Sequence, residues 1–388
     1  MMCSMMRMLT GVLLMWLGWL WPAAAALPAE FQSKAKYAIL LDARSGTVFF
    51  EKYADVPMPP ASMTKIMTMI LVFEKLKKGE LSEDATFEVS VDAWKRGGAP
   101  SGGSTMFARP REVIPLNTLM RAVVIVSAND AAIAIAEGIA GSEAAFAQMM
   151  NARARRLGLV KSHFVNATGL PHPKHRMTAR ELAALTRYLI AVFPEYYKLY
   201  RERGFTWNNI RQGNRNPLLG RYAGADGVKT GYTKEAGYGL VASAVRDGRR
   251  LIAVISGLKS KRERAAEAKR ILDWGFARFK AVKLYGKGAQ VTQARIWGGA
   301  TSLVPLVARD DIVVRLSDKE RKRARASVHY TGPLMAPVAA GQAVAELRIF
   351  VEERLIARYP LVTGQSVAED TDMWHRALDT IKVWMLGG

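Results

Sequence analysis

A chain of 388 residues, half of them hydrophobic and 23% charged, is long enough for two or three domains and too apolar to stay disordered. Lys and Arg outnumber Asp and Glu by 56 to 34, a formal net charge of +22, which calls for an anionic partner of some kind. The single cysteine, Cys3, stands at the extreme N-terminus, so thiol and disulfide chemistry are excluded from the body of the protein.

Residues 1–26 read as a secretory signal peptide. Arg7 is their only charge, residues 9–21 are apolar, and Ala24-Ala25-Ala26 offers a small-residue cleavage site. The apolar run is short for a bilayer span, an uncleaved anchor helix being the alternative. Either way the remainder is exported, and loss of Arg7 from the formal +22 leaves +21. Outside the cytoplasm that surplus suits anionic lipid or acidic wall polymer, and nucleic acid drops out as a partner. The basic run Lys319-Glu320-Arg321-Lys322-Arg323-Ala324-Arg325 reads as a solvated face.

Residues 37–41 and 48–51 flank the turn-rich Asp42-Ala43-Arg44-Ser45-Gly46 and form a hairpin. A helix follows over about 62–78, stopped by Gly79, and then a Gly-rich exposed loop at 97–104. Residues 116–126 and 130–139 are two helices interrupted at Ser127, with further amphipathic helices at 146–157 and 178–192. Strands then run over 227–233, 237–245 and 251–256, and a helix closes the unit over 261–280. This order implies one sheet covered by helices, with a mostly helical lobe inserted. From about 285 to 363 short alternating runs indicate a separate small β domain. In the last twenty residues Trp374, Leu378, Ile381 and Trp384 recur at helical spacing, an apolar stripe suited to a membrane interface or to docking on the β domain.

Three short motifs hold the candidate chemistry. In Ser62-Met63-Thr64-Lys65 a spacing of three puts both side chains on one helix face. A serine needs a neighbour to take its proton, and a lysine can do so when burial and nearby positive charge favour its neutral form. A helix-capping serine followed by a snorkelling lysine explains the same residues. In Ser127-Ala128-Asn129 a hydroxyl and a carboxamide sit at a helix junction, where they could relay a proton and hold an amide, or simply cap a helix. In Lys229-Thr230-Gly231 a strand could present charge and hydroxyl to an anionic ligand, or guard a sheet edge.

Together, in the order Ser-x-x-Lys, Ser-x-Asn, Lys-Thr-Gly, these motifs are the signature of class A β-lactamases and penicillin-binding proteins. From about Tyr37 onward the chain resembles the low-molecular-mass penicillin-binding proteins, serine D-alanyl-D-alanine carboxypeptidases of the S11 peptidase type. Ala128-Asn129-Asp130-Ala131, Arg211-Gln212-Gly213-Asn214-Arg215-Asn216 and Trp274-Gly275-Phe276 add to the likeness. The resemblance implies an α+β, β-lactamase/transpeptidase-like domain (27–283), a small all-β stalk (284–366) and an amphipathic membrane-associating helix (367–388). It also implies the assignments. Ser62 would be the acylated nucleophile, Lys65 its general base and Ser127 the proton relay to the leaving D-alanine. Asn129, Lys229, Thr230 and Gly231 would bind substrate, with the backbone amides of Ser62 and Tyr232 as oxyanion hole. Arg264, preferred over Arg262, would hold the terminal carboxylate, and Ser104 is a weaker candidate. The implied partners are peptidoglycan pentapeptide, β-lactam antibiotics and a membrane surface, with no cofactor, at the outer face of the cytoplasmic membrane.

A D,D-endopeptidase and a β-lactamase are rivals on the same fold. No Glu-x-x-x-Asn falls between Asn129 and Lys229, and about a hundred residues follow the closing helix, both unlike a class A lactamase. A non-catalytic wall-binding protein would be expected to lack Ser62 or Lys65. His172 and His175 stand near each other without the His-Glu-x-x-His of a zinc peptidase.

Overall fold

The computed structural model describes residues 31–371; the expected signal peptide and the Trp374–Trp384 stripe lie outside them. The central sheet has five strands, β1 (Tyr37–Asp42), β2 (Val48–Lys52), β3 (Ala225–Thr233), β4 (Gly237–Arg246) and β5 (Arg249–Leu258). They are ordered β2-β1-β5-β4-β3, and every neighbouring pair is antiparallel. Successive side chains of a strand point to opposite faces, and here both faces are covered. Ile39, Leu41, Val241, Ile252 and Val254 join the core under the helical lobe. Their neighbours Ala38, Leu40, Leu240, Leu251 and Ala253 join a second core beneath the closing helix. Two-sided burial is why β4 and β5 read as near-continuous apolar runs rather than alternating ones.

The lobe is built from α1 (Lys65–Lys77), α2 (Asn129–Ala140), α3 (Glu143–Arg156) and α4 (Ala179–Val192). Ten of the thirteen α1 residues are buried, because this helix threads the middle of the lobe and is hydrophobic all round. Each fully buried Ile or Phe on it contributes roughly 1.5–3 kcal/mol. Ser142 and Thr178 cap α3 and α4 by accepting from Ala145 and Glu181 backbone N–H groups. The last helix, α5 (Lys261–Arg278), is capped by Ser260 and lays Ala268, Ile271, Leu272 and Trp274 on the sheet.

The hairpin and the later strands fall where the sequence puts them, within two residues at each end. Two expectations need correction. Residues 97–104 are not exposed throughout. Gly97 ends a helix, Val91–Gly97, and is buried, because a Cβ there would overlap the backbone of Asp130; only 99–103 are exposed. The helix expected over 62–78 begins as an α-helix only at Lys65, after a 3₁₀ turn at Ala61–Thr64.

The β domain packs Val304, Leu306, Leu347, Ile349 and Leu361 into its own core. It meets the larger unit at β1, where the buried Asp42 carboxylate lies 3.6 Å from Arg249 and 3.5 Å from Arg315. Thr47 also donates to the Ile356 carbonyl there. Among the described residues no helix is long and apolar enough to cross a membrane.

Candidate active site

Ser62 belongs to the 3₁₀ turn and Lys65 opens α1. In a 3₁₀ turn residues three apart eclipse one another, so the lysine stands directly over the serine, with Nζ 3.1 Å from Ser62 Oγ. Ser62 makes no helix-capping bond, which removes the capping explanation. Lys65 does not snorkel either: it is 1% exposed, and Nζ also donates to Asn129 Oδ1 (2.6 Å) and to the Thr168 carbonyl (2.7 Å). Burial drags its pKa from 10.5 down to about 7, against the opposing charges of Glu143 and Asp130.

The second motif is shaped by an unusual backbone. Helix Leu116–Arg121 widens into a π-helical turn, Ala122–Val126, and Ser127 then takes a left-handed conformation at φ +66°. This turn aims Ser127 and Asn129 into one cleft. Ser127 Oγ is buried and has no hydrogen-bond partner, a costly state for a hydroxyl that serves only packing. Asn129 donates its backbone N–H to the Ser104 carbonyl, which ties the Gly-rich rim loop to the motif.

The third motif lies on β3, at the edge of the sheet. Lys229 is 2% exposed, so it is no solvent-facing edge guard. Desolvation first, then Lys65, Arg215 and Arg264, hold its pKa well below the usual lysine range. At Gly231 a Cβ would come within 2.9 Å of the Pro60 carbonyl and 3.2 Å of Ala61 Cβ, so only glycine lets the serine turn sit this close to the strand. Tyr232 is exposed and stacks on Tyr238 at 4.2 Å. Arg264, in the first turn of α5, is buried with its guanidinium 5.8 Å from the Tyr238 ring and its Nε unpartnered, whereas Arg262 is exposed.

Every expected site residue except the buried Lys65 and Lys229 lines one cleft of about 510 Å³, and Ser104 is on its rim. Arg215, Lys261 and Arg264 supply cations to the lining and no carboxylate does, an arrangement for an anionic ligand.

Residues 23–260 match the family model of the D-alanyl-D-alanine carboxypeptidases, peptidase S11. The chain belongs to that family. Residues 279–369 match the C-terminal domain of penicillin-binding protein 5. The chain is 39% identical over 338 residues to D-alanyl-D-alanine carboxypeptidase DacC of Escherichia coli, covering 86% of itself and 84% of that protein. It is 37% identical over 334 residues to DacD of Salmonella typhimurium, covering 85% and 86%. Among solved structures, penicillin-binding protein 5 of Haemophilus influenzae superposes with a TM-score of 0.77 at 33% identity, over 88% of this chain and 100% of that one. Penicillin-binding protein D2 of Listeria monocytogenes, in an ampicillin-bound form, gives a TM-score of 0.56 at 29% identity, over 64% and 100%.

This carboxypeptidase-family site has parts that motif reading passes over. The loop Asn166-Ala167-Thr168-Gly169 lies against the serine turn. Asn166 Oδ1 accepts from Thr168 N–H and Gly169 N–H and so folds the loop on itself. Gly169, at φ +79°, touches Ala61 where a Cβ would overlap its carbonyl. An Asn followed three residues later by Gly is a visible turn signal, but nothing local says that the turn supplies an acceptor to Lys65. His175 lies under the same turn. Val165 N–H donates to Nδ1 (3.3 Å), so Nε2 carries the hydrogen and donates to Thr64 Oγ1 (2.9 Å). Burial lowers its pKa to about 3, leaving a neutral core histidine. Among the described residues no group of three His, Cys, Asp or Glu could hold a metal ion.

Proposed function

We propose that this protein is a serine D-alanyl-D-alanine carboxypeptidase that removes the terminal D-alanine of peptidoglycan stem pentapeptides, and that β-lactams acylate the same serine. The observation that carries this reading is the buried Lys65 amine 3.1 Å from Ser62 Oγ, with a pKa near 7. Near neutrality a substantial fraction of Lys65 is unprotonated and can take the Ser62 proton as Oγ attacks the penultimate D-alanine carbonyl. The negative charge that develops falls to the Ser62 and Tyr232 backbone amides. Ser127, free of any other bond, passes a proton to the departing D-alanine nitrogen, leaving an ester on Ser62 that water hydrolyses. Arg264 attracts the terminal carboxylate, Asn129 holds a substrate amide, and Thr230 and Gly231, with Lys229 buried behind them, form the strand along which the peptide extends. No glutamate lines the cleft to drive the fast deacylation a β-lactamase needs, which favours the carboxypeptidase. The chemistry requires no metal or cofactor.

Residues 27–283 would form the catalytic unit and 284–366 a stalk. Residues 1–26 would direct export, and 367–388 would hold the protein to the outer face of the cytoplasmic membrane. Release of D-alanine from a synthetic peptide ending in D-Ala-D-Ala tests the activity, with Ser62→Ala as control. Wild type should turn the peptide over and the variant should not; equal rates from both would end the proposal. Truncation after Thr371 should free the protein from membranes, and retention in the membrane fraction would remove the anchor assignment.

A further inference from the structure

Glu143 lies outside the three motifs and outside the cleft, yet it is tied to Lys65 through a single short loop. It is the first residue of α3, 8% exposed, with both carboxylate oxygens engaged. Oε1 accepts the Ala167 backbone N–H at 2.9 Å, and Oε2 is bound by the Arg96 guanidinium on the solvent side. The Ala167 carbonyl accepts from Thr68 Oγ1 at 2.7 Å, which pins the same peptide to α1. The next carbonyl, that of Thr168, accepts from Lys65 Nζ at 2.7 Å. One carboxylate therefore fixes the segment that supplies an acceptor to the amine. It also places a negative charge behind it, in an interior where charges are weakly screened.

We infer that Glu143 is a positioning residue for Lys65, setting both the place of the amine and the pH at which it acts; the inference rests on reading Lys65 as the base for Ser62. Four groups face Lys65. Asp130 on α2 and Glu143 on α3 favour its charged form, Lys229 on β3 has its own pKa lowered by burial and by Lys65, and His175 in the loop below is neutral. Of these, Glu143 has a partner that can be removed at the surface, since the Arg96 side chain is 43% exposed. That permits two substitutions of opposite sign. Glu143→Gln keeps an oxygen for the Ala167 N–H and deletes the charge, so the neutral amine becomes easier to form. Arg96→Met leaves the carboxylate uncompensated, so the neutral amine becomes harder to form.

The test is the rate of acylation by a chromogenic β-lactam from pH 5 to pH 10, for wild type, both variants and Lys65→Ala. The rising acidic limb should move down by about one pH unit in Glu143→Gln and up by a smaller amount in Arg96→Met. Melting temperatures should stay within a few degrees of wild type. Limbs that superimpose in all three proteins, or that move the same way in both variants, overturn the inference while leaving Lys65 as base. A limb that persists in Lys65→Ala overturns the reading of Lys65, and this inference with it. A role confined to packing would change stability without moving the limb.

Discussion

Replacing Lys65 with Met isolates the cost of holding that amine in the interior. In the folded protein its pKa is about 7, against 10.5 in the unfolded chain. The group is depressed on folding, so between these values the unfolded state binds the extra proton and stability rises with pH. At about 1.4 kcal/mol per pH unit the whole span is worth about 5 kcal/mol, of which about 3 kcal/mol is reached by pH 9.5. Lys65→Met keeps the aliphatic stem but strips the donor from Asn129 Oδ1 and Thr168 O, a loss that does not depend on pH. After burial, Lys65 also lowers the pKa of Lys229, so both proteins carry Lys229→Met, which removes that coupling. The readout is the difference in urea-unfolding free energy between the protein that is wild type at position 65 and Lys65→Met, at several pH values from 6 to 9.5. Below pH 7 the difference should be flat. Above it the wild type should gain on the variant at close to the stated slope. Parallel curves across the whole range would mean that Lys65 stays protonated in the folded protein and is not a base poised near neutrality.

Ser127→Ala should leave thermal stability unchanged or slightly raised, because the buried hydroxyl it deletes has no partner, while turnover of a D-Ala-D-Ala peptide falls on the order of a hundredfold or more. A drop of several degrees in melting temperature would show that the hydroxyl is structural. Gly169→Ala should cost about 2 kcal/mol or more, since a Cβ there meets the Ala61 carbonyl at a backbone angle that L residues disfavour, and it should slow acylation by displacing the serine turn. Calorimetry and β-lactam labelling kinetics on the same preparation check both halves, and a variant with native stability and native labelling would contradict the packing argument.

The fold was legible where local pattern and tertiary environment agree. The strands of the central sheet, the amphipathic helices read over 146–157 and 178–192, and the apolar run of α1 all follow from local pattern. The three motifs were legible as types and spacing, and the structure brings Ser62, Ser127, Asn129, Thr230, Gly231 and Arg264 to one cleft with Lys65 and Lys229 behind it. What escaped was set by contacts distant in sequence. Gly97 read as part of an exposed loop, but its missing Cβ makes room for the backbone of Asp130, thirty-three residues on. The Thr168 carbonyl reaches Lys65 across 103 residues, and Glu143 reaches the Ala167 amide from a different helix. The 3₁₀ turn at Ser62 likewise packs closely against Gly231 and Gly169, both more than a hundred residues away in sequence. The short hairpin Gly204–Trp207 with Ile210–Gly213 carries no period long enough to be read.

If Ser62 is a nucleophile made reactive by the lysine above it, incubation of the purified protein with benzylpenicillin, followed by proteolysis and mass spectrometry, should show it directly. One equivalent of penicilloyl ester should form on the peptide containing Ser62 in wild type and be absent from Ser62→Ala. An unmodified wild-type protein, or an adduct on any other residue, would contradict it.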